Sequence, residues 1–282
     1  MQTLIIGCGY SGKQIQQAER NAGYSVTSTG TKMDADKIRL DLDTGEGLEA
    51  LSDQHWDRCY YLAPPDARAK IDHRLNRFLQ AFEHQPLKNI VYFSTTAVYG
   101  NPEGQWVTEH SPLRPANQRG VLRVDAEEQL KTYSQSRNSN LSILRVAGIY
   151  GPDRLPLTKL RQGCTAIKPE QAPFSNRIHV SDLAIIAIAA MNTTQGIEVY
   201  NVADGQPTTS TEYLQTIARA FNLPMPSLID IKDAASFFSP MALSFLADNK
   251  RVDNHKILTK LNIALKFPDL RSSLANGLKF AQ

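Results

Sequence analysis

Apolar residues in the first half of the chain fall into two rhythms. Continuous runs rich in β-branched and aromatic residues occur at Thr3-Leu4-Ile5-Ile6, Ser25 to Thr29, Lys37 to Leu40, Arg58 to Leu62, Asn89 to Phe93 and Leu141 to Val146, which predicts strands. Between them lie stretches with helical spacing. Gly12 to about Ala22 is the first, and Ala67 to His84 carries Ile71, Leu75, Phe78, Leu79 and Phe82 at such intervals. Val121 to Tyr133 reads as another helix. Strands alternating with helices predict an α/β fold with a doubly wound parallel sheet.

After Gly151-Pro152 the rhythm breaks. Residues 153–176 read as loop, interrupted by Pro156, Gly163, Pro169 and Pro173. Ser181 to Met191 is a strongly apolar helix, Glu198 to Val202 one further strand, and Thr211 to Phe221 a helix before an irregular tail.

The first strand runs directly into Gly7-Cys8-Gly9-Tyr10-Ser11-Gly12, a G-x-G-x-x-G followed by a helix. That order is the context a dinucleotide pocket requires. Gly7 permits the tight turn, Gly9 lets a pyrophosphate approach the backbone, and Gly12 lets helix and strand pack closely. The helix N-terminus then faces the phosphates.

Composition narrows the class without naming a chemistry. With 282 residues, 41% hydrophobic and 21% charged, the chain is long enough for one large domain or two unequal ones. A net charge of +3 without a basic run gives no sign of nucleic-acid binding. Cys8, Cys59 and Cys164 are widely spaced and form no metal-like pair, so they read as reduced thiols in a cytoplasmic protein. No run approaches the ~18 apolar residues of a membrane span, and the first strand leaves no room for a signal peptide.

From Phe93 onward the residues become specific. Phe93-Ser94-Thr95-Thr96-Ala97-Val98-Tyr99-Gly100 resembles the "SS-x-x-VYG" segment of extended short-chain dehydrogenases/reductases, the NAD-dependent epimerase/dehydratase family. Glu109 to Pro115 resembles "E-x-x-P-x-x-P", and Leu144-Arg145 through Gly151-Pro152 resembles "LRxxxVYGP". Arg177 to Ala184 resembles "xxIHVxDLA", and Tyr200-Asn201-Val202 with Asp204-Gly205 resembles "YNVxxG". The resemblance implies a Rossmann domain of about seven strands from residues 1–152 and 177–205. A smaller C-terminal substrate domain would come from 153–176 and 206–282. It also implies a small-molecule substrate and a monomer or homodimer.

The family's Tyr-x-x-x-Lys sits four residues before a helical carboxylate, here Glu127. That count places Arg123 at the lysine position and Arg119 at the tyrosine position. A guanidinium with pKa above ~12 is no general acid or base near neutrality. Arg123 can replace the lysine as a cationic donor to the nicotinamide ribose. Arg119 either binds an anionic substrate or is a solvated helix residue. Thr95 matches the family's active-site Ser/Thr or simply ends a strand, and Tyr99 either packs, as that tyrosine usually does in the family, or is a substitute proton donor. Thr96-Ala97 replace the Asp-Glu of sugar-nucleotide dehydratases, and Ser175-Asn176 the Arg-Asp of nucleotide-sugar epimerases. His179 reads as a hydrogen-bonded structural residue in mid-strand.

For the cofactor, the second strand ends Ser28-Thr29-Gly30-Thr31-Lys32, with hydroxyls and a cation but no carboxylate. This favours NADP, while Asp34, 22 residues after Gly12, keeps NAD as the alternative. Asp41 matches a position that contacts adenine. Leu62-Ala63-Pro64 matches the loop beside the nicotinamide ribose. The leading expectation is an NAD(P)-dependent oxidoreductase of atypical active site. The alternative is a non-catalytic dinucleotide-binding regulatory or redox-sensing protein.

Overall fold

A computed structural model describes residues 1–32 and 36–275, so Asp34 and the end of the expected cap, 276–282, lie outside the described residues. Seven strands form one sheet: β1 (Gln2–Ile6), β2 (Ser25–Gly30), β3 (Ile38–Arg39), β4 (Arg58–Tyr61), β5 (Asn89–Thr95), β6 (Asn140–Val146) and β7 (Ile197–Val202). They lie in the order β3-β2-β1-β4-β5-β6-β7, every pair parallel. The strand order reverses between β1 and β4, and ligands of doubly wound sheets bind at such a switch point.

The central strands β1, β4, β5 and β6 are largely buried along their length because both faces of the sheet are covered there. Leu4, Ile6, Cys59, Tyr61, Ile90 and Tyr92 pack against α2 (His73–Ala81) and α3 (Gln118–Arg137). The alternate residues Ile5, Tyr60, Val91 and Phe93 pack with α1 (Tyr10–Asn21) and α4 (Val180–Thr193). This period of two splits one run of sequence between two cores.

Two buried ion pairs pin helices to strands. Glu127 of α3 takes Arg145 Nη2 of β6 at 2.7 Å and the Ser94 hydroxyl of β5 at 2.6 Å. Glu19 of α1 takes Arg58 Nη2 of β4 at 2.7 Å and the Tyr60 hydroxyl at 2.5 Å.

Several element expectations need correction. The helix expected from Ala67 begins at His73, because Asp72 Oδ1 accepts from Leu75 N and caps it there. The third helix is longer than Val121 to Tyr133. Asn117 caps its start by accepting from Gly120 N, and Asn138 ends it in the left-handed region at φ 53°. Residues 153–176 are not simply loop. They hold a helical turn, Leu157–Arg161, and a strand, Thr165–Ile167, which pairs with Ser227–Ile229. The tail contains helices at Pro240–Leu246, His255–Lys260 and Leu270–Ala275. Pro240 is no obstacle, since the first helical residue needs no N–H donor. His179 is not in mid-strand; it ends the strand Arg177–His179, and its Nδ1 accepts from Ser181 N to cap α4.

Candidate functional site

A cleft of about 570 Å³ opens at the carboxyl ends of β1, β2 and β4. It gathers Gly7, Gly9, Thr29, Thr31, Lys32, Asp41, Ala63 and Pro64, eight of the residues assigned from sequence to the cofactor. Tyr10, Ser11, Gly12, Leu62 and Arg123 do not line it. Cys8, Lys37, Asp43 and Arg74 also line it, and no sequence motif marks the last three for a nucleotide.

The glycines do different jobs. Gly7 has φ +81°, and a Cβ there would come within 2.9 Å of Ala63 N, so its turn and its contact with the loop after β4 both require glycine. Gly9 is the N-cap of α1 and offers no side chain to satisfy the helix's first N–H groups. No acidic residue occupies that first turn. The N-terminus of a twelve-residue helix therefore meets the cleft with uncapped donors, which fits a pyrophosphate. At Gly12 a Cβ would lie 3.4 Å from Gly7 O and Cys8 Sγ, an ordinary contact, so the close packing expected there does not by itself demand glycine. Burial pushes the Cys8 thiol up, away from reactivity.

At the end of β2 the donors and acceptors divide. Thr29 lines the cleft, but its hydroxyl accepts from Gly7 N at 3.2 Å and donates to Ile5 O at 3.3 Å, so it braces the turn. The cleft's carboxylates are also engaged. Asp41 Oδ1 accepts from Asp43 N and Thr44 N. Asp43 forms a two-pronged pair with Arg74, both bonds 2.6 Å, and this contact holds its carboxyl below the usual range. Arg74 Nη1 also donates to Pro64 O at 3.1 Å, joining the loops after β3 and β4.

The candidate reaction centre lies at the end of β5. Thr95 is half-buried, and its Oγ1 accepts from Ala97 N at 3.3 Å to start a helical turn, which leaves its proton to donate. Gly120 brings α3 onto that turn; a Cβ there would meet Ala97 O at 2.8 Å. Arg119 precedes it. Its side chain is exposed, yet neighbouring protein desolvates the guanidinium and Arg123 repels it, both lowering its pKa.

Arg123 is buried, one helical turn along the same face. Its Nη1 donates to the Tyr92 hydroxyl at 2.8 Å, and its Nε is buried with no hydrogen-bond partner. Of the two readings of Tyr99, packing and a substitute proton donor, the structure favours packing. Its proton is committed to Asn201 Oδ1 at 2.6 Å and its oxygen accepts from Arg145 Nη1 at 2.9 Å. Burial pushes its pKa up to about 12. Asn201 is 102 residues away, so no local signal foretold this pairing. Among the described residues no cluster of His, Cys, Asp or Glu could hold a metal, and no helix is long and apolar enough to cross a membrane.

A sequence model described as the NAD dependent epimerase/dehydratase family matches residues 3–203. The chain belongs to this family. Protein YeeZ of Escherichia coli is a relative of similar length, 24% identical over 94% of this chain and 96% of its own. A functionally unknown conserved protein from Silicibacter pomeroyi DSS has a closely similar structure, with TM-score 0.81 and 31% identity over 98% of this chain and 97% of that one. The UDP-glucose 4-epimerase of Thermus thermophilus, solved in complex with NAD, shares the fold at TM-score 0.78 and 20% identity, covering 98% of both chains. Within this epimerase/dehydratase fold, the cleft described above lies at the sheet's switch point.

Proposed function

We propose that the protein is an NADP(H)-dependent oxidoreductase that moves hydride between nicotinamide C4 and a carbonyl or hydroxyl carbon. The uncapped N-terminus of α1 behind Gly9, at the floor of a 570 Å³ cleft, is the observation that carries the nucleotide half of this reading. NADP is favoured over NAD by the cations of Lys32 and Lys37 and the hydroxyl of Thr31, which line the cleft. Asp43 favours it too, because both of its carboxylate oxygens are held by Arg74.

In this reading Thr95 donates to the reacting oxygen and Arg123 orients the cofactor from behind, with Tyr92 fixing its guanidinium. In carbonyl reduction the carbon gains the hydride and the oxygen gains a proton from water, because neither Arg119 nor Tyr99 can release one near neutral pH. That same shortage favours a second reading, a dinucleotide-binding regulatory or redox-sensing protein without turnover.

One experiment separates the two. NADPH oxidation is followed at high protein concentration across a panel of carbonyl compounds, for the native chain and Thr95→Ala. Turnover lost tenfold or more in the variant, with NADPH affinity unchanged, supports the enzyme. Tight NADPH binding with no oxidation by any compound supports the regulatory reading.

A further inference from the structure

The residue that bears on substrate class is Arg177. It opens the strand Arg177–His179, which pairs in register with Gly148–Tyr150, so that Arg177 lies opposite Gly148. Gly148 is two residues past Val146, which pairs with Thr95. The strand register thus carries Arg177 to the same sheet end as the candidate reaction centre. Gly148 is exposed, and a Cβ on it would come within 2.9 Å of Arg177 Nη1. The guanidinium fills the place a side chain at 148 would take, on the border of open space.

This guanidinium is positioned but poorly satisfied. It stacks 3.6 Å from the centre of the Tyr213 ring. Among the described residues its side chain makes one hydrogen bond, from Nη2 to Ser175 Oγ at 3.2 Å, and no ion pair. Its Nε is buried without a partner, and desolvation lowers its pKa. Five fixed donors with one acceptor is an expensive state for a desolvated cation unless a ligand completes it. Asp204, the carboxylate whose charge acts on it, is itself desolvated, with its pKa pushed up to about 7. Its Oδ1 accepts from Gln206 N, and among the described residues no ion pair joins it to the arginine.

The two residues before Arg177 are turned away from any ligand. Asn176 spends its amide on Lys250 O at 3.0 Å and Val252 N at 2.8 Å. Ser175 Oγ donates to Thr208 O at 3.3 Å and accepts from Arg177. Recognition of an anion on this wall falls to one planar fork, which matches a carboxylate or phosphate.

We propose that Arg177, stacked on Tyr213 above Gly148, is the substrate-anion site, and that the substrate is a compact oxo or hydroxy compound bearing a carboxylate or phosphate rather than a sugar nucleotide. This rests on the hydride-transfer reading for the substrate's role, while the anion site itself is testable alone. Arg119, on the helix packed against Ala97, adds positive charge near the same sheet end.

Calorimetric titration with pyruvate, inorganic phosphate and UDP-glucose tests it, on the protein with and without saturating NADP+. Saturable binding of pyruvate or phosphate is expected, and the stronger of the two identifies the anion. Arg177→Gln should weaken that binding tenfold or more. Gly148→Ala, which crowds Nη1 while keeping the charge, should weaken it severalfold and guards against a folding defect in the first variant. NADP+ affinity should stay the same in both. Absence of saturable binding by both small anions overturns the proposal, as does binding unchanged in Arg177→Gln or tighter binding of UDP-glucose. Failure of NADP+ to bind the native chain counts instead against the cofactor reading, since the nucleotide-free titration still reports on Arg177.

Discussion

Arg123 Nη1 donates to the hydroxyl of Tyr92 at 2.8 Å, which ties a cation on α3 to the middle of β5. Both residues are buried, and the arginine also lies over the tyrosine ring, its guanidinium carbon 5.5 Å from the centroid. Tyr92→Phe removes the acceptor and leaves a buried charged donor unpaired. Such a loss costs about 1.5–3 kcal/mol. A urea midpoint measurement should show the fall, accompanied by weaker NADPH binding if Arg123 orients the cofactor. Weaker stability with unchanged nucleotide affinity would restrict Arg123 to a structural role.

The Glu127–Arg145 pair is the stronger anchor of α3, with Ser94 completing it. Glu127→Gln takes the counter-charge from a buried guanidinium and should destabilise the fold by about 3–5 kcal/mol. Chemical denaturation reads this directly. A loss below about 1 kcal/mol would mean that water or Tyr99 compensates Arg145.

Two buried groups shift stability with pH in opposite directions. Desolvation raises Asp204 from 3.8 to about 7, so its contribution is fully present below pH 3.8 and is lost as pH rises to about 7. Desolvation, helped by Lys266, lowers His179 from 6.5 to about 4, so stability falls as pH drops through that window. The native chain should therefore show a shallow profile between pH 4 and 7 from these two groups. Asp204→Asn removes one side of the balance. It should stabilise the fold above pH 7 by up to about 4 kcal/mol, from roughly three units at 1.36 kcal/mol each. The gain should shrink as pH falls towards 4. A gain independent of pH would show that Asp204 ionises normally.

Lys32 lines the cleft at the end of β2. Lys32→Glu places a carboxylate where the extra phosphate of NADP would sit. NADPH affinity should fall at least tenfold while NADH affinity holds or improves, as measured by nucleotide fluorescence. Equal losses for both nucleotides would place Lys32 at a part of the cofactor the two share.

What was legible in the sequence followed from local rules. The turn at Gly7 to Gly12 reads directly because its strand, turn and helix are contiguous, and the alternation of runs reads because the central strands are buried on both faces. Short elements were missed where the partner is distant. Thr165–Ile167 is a strand only because Ser227–Ile229 lies beside it. The Arg74–Asp43 clamp spans 31 residues, and neither residue carries a motif. Asp72 set the start of α2 by capping, a signal present in the sequence but overridden by the apolar spacing upstream. Closeness to Thr95 along the chain is what makes Tyr99 a candidate proton donor in the sequence. In the fold its hydroxyl answers to Asn201 and Arg145 instead.

Direct titration of the purified protein with NADPH and NADH, side by side in a calorimeter, tests the account most directly. It predicts saturable binding of both nucleotides, with NADPH tighter by tenfold or more. NADH binding as tightly as NADPH, or no heat from either, would contradict it.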